Sequence, residues 1–133
     1  MPSIFPQLFI YSGIGLFVFR VVLGIVFIVH GYPKLFKNFS QTVGFFESIG
    51  IRPGNVWVFI VGAVEFFGGI ALVLGFATQL AAALIVVNMV VAIVKVKFKQ
   101  GFVSGYEFDL ALLAMAAALM VTGPGAFAID LPL

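Results

Sequence analysis

The sequence predicts an all-α membrane protein, a bundle of four transmembrane helices whose two termini lie on the same side. Hydrophobic residues make up 63% of the chain and charged residues 9%, against roughly 45–50% and about 25% in soluble domains. The apolar runs are each about 20 residues long, enough to cross a hydrocarbon core of roughly 30 Å. They are continuous and lack the alternation of a membrane barrel, so helices are the expected spans. At 133 residues the chain should form a single membrane domain.

Four spans can be drawn, at residues 8–32, 56–76, 79–94 and 107–122. Pro33 lacks an N–H and disfavours helix before it, so the first span should end or kink there. Turns are predicted at RPGN (52–55), GFAT (75–78) and GPG (123–125). Residues 38–51 carry apolar side chains at helical spacing and two glycines, which favours either a short interfacial helix or an ordered loop.

Apart from Arg20, the basic side chains are confined to two loops. Lysine and arginine occur in the first and third loops and are missing from the second loop and from both termini. The positive-inside rule therefore predicts that loops 33–55 and 95–106 are cytoplasmic and that both termini are outside, in a plasma or inner membrane. The excess of basic residues thus reports topology, and no nucleic-acid partner is expected. Trp57, at the cytoplasmic start of the second span, fits an interfacial anchor.

Three polar residues are predicted to share one layer near the middle of the membrane. At 1.5 Å per residue, Arg20 lies roughly 18 Å from the start of the first span, and Glu65 and Asn88 lie at similar depths in the second and third. An Arg20–Glu65 ion pair bridged by Asn88 would best limit the cost of burying charge. Two interpretations remain open: a ligand-binding or proton-linked site, and a structural pair that fixes helix register.

A second polar layer is expected at the cytoplasmic ends of the helices. Here His30 lies at the end of the first span and Lys34 follows one turn later, while Glu107 and Asp109 open the fourth span. The two acids lie about 200° apart on a helix, so only one should face the bundle. Acidic residues are also favoured at helix N-termini, which gives Glu107 a capping interpretation. His30 could donate to a quinone carbonyl, but one histidine cannot build a three-ligand metal site, and no metal is expected.

Small residues mark the predicted contact between the first two spans. Gly24 and Gly31 lie near the Arg20 stripe, and Gly62 and Gly69 flank Glu65. Glycines so placed let helices approach closely in lipid. They are therefore expected to serve helix packing.

The motifs RVVLGIVFIVHGYPKL (20–35), EFFGGIALVLG (65–75), YEFDLALL (106–113) and TGPGAFAID (122–130) resemble the DoxX family of small bacterial and archaeal membrane proteins. The resemblance covers nearly the whole chain and implies a four-helix bundle. It also implies a link to quinol oxidase or thiosulfate:quinone oxidoreductase complexes, or to quinone and oxidative-stress resistance. The family's signature polar residues fall on Arg20, His30, Lys34, Glu65, Glu107 and Asp130. Ala128 departs from the serine found in many members.

The leading hypothesis is an accessory subunit of a quinone-linked redox system that binds a lipophilic ligand, such as a quinone. The candidate ligand-binding residues are Arg20, Glu65, Asn88, His30, Lys34 and Glu107. With no cysteine in the chain and no autonomous catalytic constellation, redox chemistry would come from partner subunits. A homo-oligomer is also consistent with a small bundle. The alternatives are a proton-linked transporter and an assembly protein without a ligand.

Overall fold

The computed structural model describes residues 1–130, and this part of the chain is helical without β-strands. After a 3₁₀ turn at Pro6–Tyr11, its α-helices are α1 (Ser12–Tyr32), α2 (Phe39–Ser48), α3 (Gly54–Leu74), α4 (Thr78–Ala92) and α5 (Glu107–Thr122). Within the described residues, four helical stretches are long and apolar enough to cross a membrane: Pro6–Lys37, Gly54–Leu74, Thr78–Gln100 and Phe102–Thr122. The predicted all-α class with four spans is confirmed.

Two of the helices, α1 and α4, continue past their α-helical ends. Pro33 begins a π-helical turn, Pro33–Lys37, that continues α1, and a second such turn, Ile93–Lys97, continues α4. Residues 103–105 leave helical geometry immediately before α5. Lys34 therefore lies in a helical continuation of α1, and Lys95 and Lys97 lie in a helical continuation of α4. The segment 38–51 forms α2, and its interfacial position stays a prediction.

Helices α1 and α3 approach one another through glycines. A Cβ added to Gly24 would lie 2.6 Å from the carbonyl oxygen of Gly69, and one added to Gly31 would lie 2.5 Å from the backbone nitrogen of Phe66. No larger residue fits without moving a backbone, because both neighbours are main-chain atoms. These contacts fix the antiparallel register of α1 against α3.

The core joins all four spanning helices in one apolar layer. Its buried residues come from α1, α3, α4 and α5: Leu23, Phe27, Leu72, Ala81, Ala82, Ile85, Met89, Leu112, Ala116 and Leu119. This layer lies between two polar regions, one at each end of the bundle. We call them the strap end, after the strap formed by residues 123–130, and the basic end, after the lysines that follow α1 and α4.

Substituting Gly24 with alanine should lower the free energy of unfolding by about 1–3 kcal/mol, because the new methyl group overpacks the contact with α3. Gly15 is the matched control: it lies on the same helix, and a Cβ added there would meet no neighbouring atom within 4 Å. Alanine there should be neutral or stabilise by about 0.5–1 kcal/mol through helix propensity. Unfolding in detergent, followed by helical circular dichroism, measures both. Equal effects at the two positions would contradict the close approach.

Candidate functional site

Arg20 is completely buried at the strap end. Its guanidinium donates hydrogen bonds to the carbonyl oxygens of Leu72, Val73 (2.9 Å), Pro124 (3.2 Å) and Phe127. The first two carbonyls belong to the last turn of α3, where helical carbonyls lack helical partners and the dipole favours a cation. Arg20 therefore ties α1, the end of α3 and the strap together.

Asp130 secures the far end of the strap to the start of α4. Its two carboxylate oxygens accept hydrogen bonds from the backbone N–H groups of Ala77 (2.6 Å) and Thr78 (2.8 Å). Burial raises the pKa of Asp130, but the hydrogen bonds from Thr78 and Ala77 and the charge of Arg20 outweigh it and hold the pKa below the ordinary 3.8. The carboxylate is thus stabilised in its ionised form. Between these anchors Gly75 has φ +69°, and a side chain there would collide with Ala128 and Arg20.

The prediction of an Arg20–Glu65 ion pair is wrong, because Arg20 binds backbone carbonyls and Glu65 pairs with another residue. Gly31 lies beside Gly62 and Glu65, so in the antiparallel register Arg20 lies at the level of Leu72 and Val73. Leu72 is seven residues after Glu65, which is about 10 Å along the helix axis. Counting residues from the predicted span ends places the two charges in one layer of the membrane. The register of α1 against α3 places them in two different layers.

Glu65 instead forms a cluster with Lys34 and Asn88. The ammonium of Lys34 lies 2.8 Å and 2.6 Å from the two carboxylate oxygens, and the amide of Asn88 donates to Oε1 at 3.0 Å. Glu65 is only 3% exposed. Helical side chains point towards their own N-terminus, so Lys34 reaches back from the basic end to Glu65. The π-helical turn that continues α1 therefore meets α3 and α4 at one ionic centre.

This cluster borders a cavity of about 440 Å³. Apolar side chains dominate the wall, five of them aromatic, and all five α-helices contribute. The lining residues are Phe27, His30, Lys34, Thr42, Phe45, Phe46, Ile51, Trp57, Val61, Glu65, Asn88, Met89, Val91, Ala92, Lys95, Val96, Lys97, Gln100, Phe108, Asp109 and Leu112. Volume, apolar walls and a few converging polar groups are typical of small-molecule pockets.

The structure brings four of the six candidate ligand-binding residues together on this cavity: His30, Lys34, Glu65 and Asn88. Arg20 does not line it. Glu107 is exposed and accepts a hydrogen bond from the backbone N–H of Ser104 at 3.3 Å.

Asp109 takes the place in the cavity that the sequence-based hypothesis gives to Glu107. Its Oδ2 is buried and, among the described residues, has no hydrogen-bond partner. Since the two acids lie on different sides of α5, the helical pattern requires a choice between them but does not indicate which faces the bundle. Trp57 also lines the cavity, together with residues of α2. The sequence pattern predicts a possible helix at 38–51 but does not indicate that this helix folds beside α3.

Comparison with known proteins gives a consistent assignment. The DoxX family model matches residues 15–98. The chain is 36% identical over 117 residues to "Putative oxidoreductase CatD" of Bacillus subtilis (strain 168), covering 88% of this chain and 85% of that protein. It is 31% identical over 124 residues to "Uncharacterized membrane protein Rv3486" of Mycobacterium tuberculosis (84% and 76% covered).

A third relative, "Inner membrane protein YqjF" of Escherichia coli (strain K12), is 29% identical over 122 residues, which cover 88% of this chain and 90% of that protein. No solved structure matches the chain significantly. The family match spans more than half of the sequence, and these relatives extend the similarity over most of the remainder. The apolar helices also require contact with a lipid bilayer. The protein is therefore a multi-pass membrane protein of the DoxX family.

Proposed function

We propose that this protein is an accessory subunit of a redox-linked membrane system and that its cavity binds a lipophilic molecule with a quinone-like ring. One observation carries the proposal: the Lys34–Glu65–Asn88 cluster, centred on the buried Glu65, borders an aromatic-walled cavity. A buried charge on a membrane-spanning helix is costly in lipid and marks a functional site by default. It also offers a ring-bearing ligand fixed polar contacts.

The cavity suits a planar ring. The five aromatic side chains of its wall can stack against one in offset or edge-to-face geometry: Phe27, Phe45, Phe46, Trp57 and Phe108. Lys34 and Asn88 supply donors to a ring oxygen, and each retains an N–H beyond those used on Glu65. An isoprenoid or alkyl tail would leave between apolar helices into the bilayer.

The redox link rests on the relatives and on the composition. The Bacillus subtilis relative carries the word oxidoreductase in its name. This chain contains no cysteine, so it offers neither a dithiol nor cysteine ligands for an iron–sulfur cluster. We therefore propose that electrons reach or leave the bound ring through a partner subunit, and that this chain supplies the binding site. We also propose that the protein associates with further copies of itself.

The cavity favours a binding protein over a proton-linked carrier. A carrier needs polar groups on a path between the two membrane faces. We call the hydrogen bonds of Arg20 to α3 and the strap the Arg20 clamp. The apolar core, including Leu23, Leu72 and Ile85, separates this clamp from the Glu65 cluster. The polar groups therefore form two separate layers.

The test is mass spectrometry of lipophilic molecules that co-purify from native membranes. Wild type and Glu107→Gln should retain a ring-bearing lipophile, and Glu65→Gln should retain at most a tenth as much, because the lost charge leaves Lys34 unpaired beside the ring. Glu107→Gln removes the same charge outside the cavity. Val61→Phe, which narrows the cavity without touching the cluster, should also reduce the ligand. Equal amounts of the same molecule in all four proteins, or bulk lipid alone in each, would overturn the proposal.

A further inference from the structure

We propose that the cavity selects a ring bearing hydroxyl donors, a phenol or hydroquinone head, over the corresponding quinone, whose carbonyls only accept. This inference rests on the proposed function and names the chemical form of the ligand. Its basis is a buried acceptor in the cavity wall, on Asp109, that no described residue satisfies.

The first unused acceptor is Asp109. Its Oδ2 is buried in the cavity wall and receives no hydrogen bond from any described residue. A carboxylate offers acceptors alone when ionised, and a buried acceptor without a partner is destabilising. A ligand hydroxyl placed there would donate the missing hydrogen bond. A quinone carbonyl would instead face the carboxylate with a second acceptor.

A second acceptor, on an exposed side chain that also lines the cavity, is offered by His30. Its Nδ1 lies 2.7 Å from the carbonyl oxygen of Val26. A carbonyl can only accept, so Nδ1 carries the proton, and in the neutral ring Nε2 is left as an acceptor. The imidazole lies 5.9 Å from the ring of Phe108, centroid to centroid. His30 and Asp109 both line the cavity.

The donors at the buried end are largely committed. Lys34 directs hydrogens at both oxygens of Glu65, and Asn88 directs one at Oε1. Each keeps a single N–H for a ligand, while the Asn88 carbonyl oxygen adds another acceptor. Lys95 and Lys97 also line the cavity, at the rim, where flexible ammonium groups stay hydrated. What distinguishes the two ligand forms is therefore the buried Oδ2 of Asp109, whose missing hydrogen bond a hydroxyl can donate and a carbonyl cannot.

Three ring-matched probes test the inference: an alkyl hydroquinone, its dimethyl ether and the corresponding benzoquinone, titrated anaerobically into protein in lipid nanodiscs. Trp57 is the chain's single tryptophan and lines the cavity, so its fluorescence reports binding. The hydroquinone should bind at least tenfold more tightly than either other probe. Asp109→Asn should weaken hydroquinone binding about tenfold and should not weaken quinone binding, because the amide offers a quinone carbonyl a donor in place of an acceptor. Glu107→Gln, the matched control two residues away, should change neither.

A second variant keeps the test independent of Asp109. His30→Phe retains a ring beside Phe108 but removes the acceptor, and it should weaken hydroquinone binding several-fold. Equal binding of the three probes, tighter binding of the quinone, or unchanged hydroquinone binding in folded Asp109→Asn and His30→Phe would overturn this inference and leave the proposed function standing. Failure of every probe to bind would overturn both.

Discussion

Replacing Arg20 with methionine should lower the free energy of unfolding by about 3–5 kcal/mol, the largest effect we expect from one substitution. Methionine fills much of the apolar volume but removes the four side-chain hydrogen bonds to the carbonyls of Leu72, Val73, Pro124 and Phe127. Buried groups that lose a charged partner typically carry a penalty of that size. Chemical or thermal unfolding in detergent, monitored by circular dichroism, measures the change.

The effect should be localised at the strap end. The backbone N–H groups of Ile129 and Asp130 donate to the carbonyls of Leu74 and Gly75, and their hydrogen exchange should accelerate once Arg20 no longer holds the strap. Arg52→Met is the matched control, because Arg52 is exposed. We expect it to change stability by less than about 0.5 kcal/mol. A loss below about 1 kcal/mol in Arg20→Met, or unchanged exchange in the strap, would contradict the clamp.

Hydropathy and helical periodicity predict what depends on local sequence. The number of spans follows from apolar length, and the buried stripe of α1 follows from the 100° step that places Arg20, Phe27, Gly31 and Lys34 on one face. The structure buries Arg20, Phe27 and Gly31 and directs Lys34 at Glu65. Periodicity is sufficient here because a helix fixes the relative directions of its own side chains.

The partner of each charge depends on information that is not local. Burial cost indicates that Arg20 needs acceptors, but backbone carbonyls of the strap and of α3 satisfy it, and such acceptors exist in every sequence. Register between α1 and α3 is set by where the glycines meet, so Lys34 pairs with Glu65 even though depth counting places the two in different layers. Likewise, the rotation of α5 about its axis decides between Glu107 and Asp109.

The Lys34–Glu65 pair provides the second large prediction. Lys34→Met should lower the free energy of unfolding by about 2–4 kcal/mol, because it leaves the Glu65 carboxylate, 3% exposed, with Asn88 alone. The range is set below that for Arg20 because the Lys34 side chain is 28% exposed and water screens part of the interaction. Glu65→Met should cost a similar amount. The double variant should recover most of the loss, since no buried charge is left unpaired.

The corresponding Arg20→Met/Glu65→Met cycle is the control, and its effects should add within about 0.5 kcal/mol because the two residues share no partner. A strong Arg20–Glu65 coupling, or none between Lys34 and Glu65, would contradict the two-layer arrangement. The stable Lys34→Met/Glu65→Met protein then separates architecture from binding. If the cluster serves a ligand, this protein should fold like the wild type yet fail to retain the ring-bearing molecule. If it folds and still retains that molecule, the ion pair acts in helix packing and the binding energy comes from the aromatic wall.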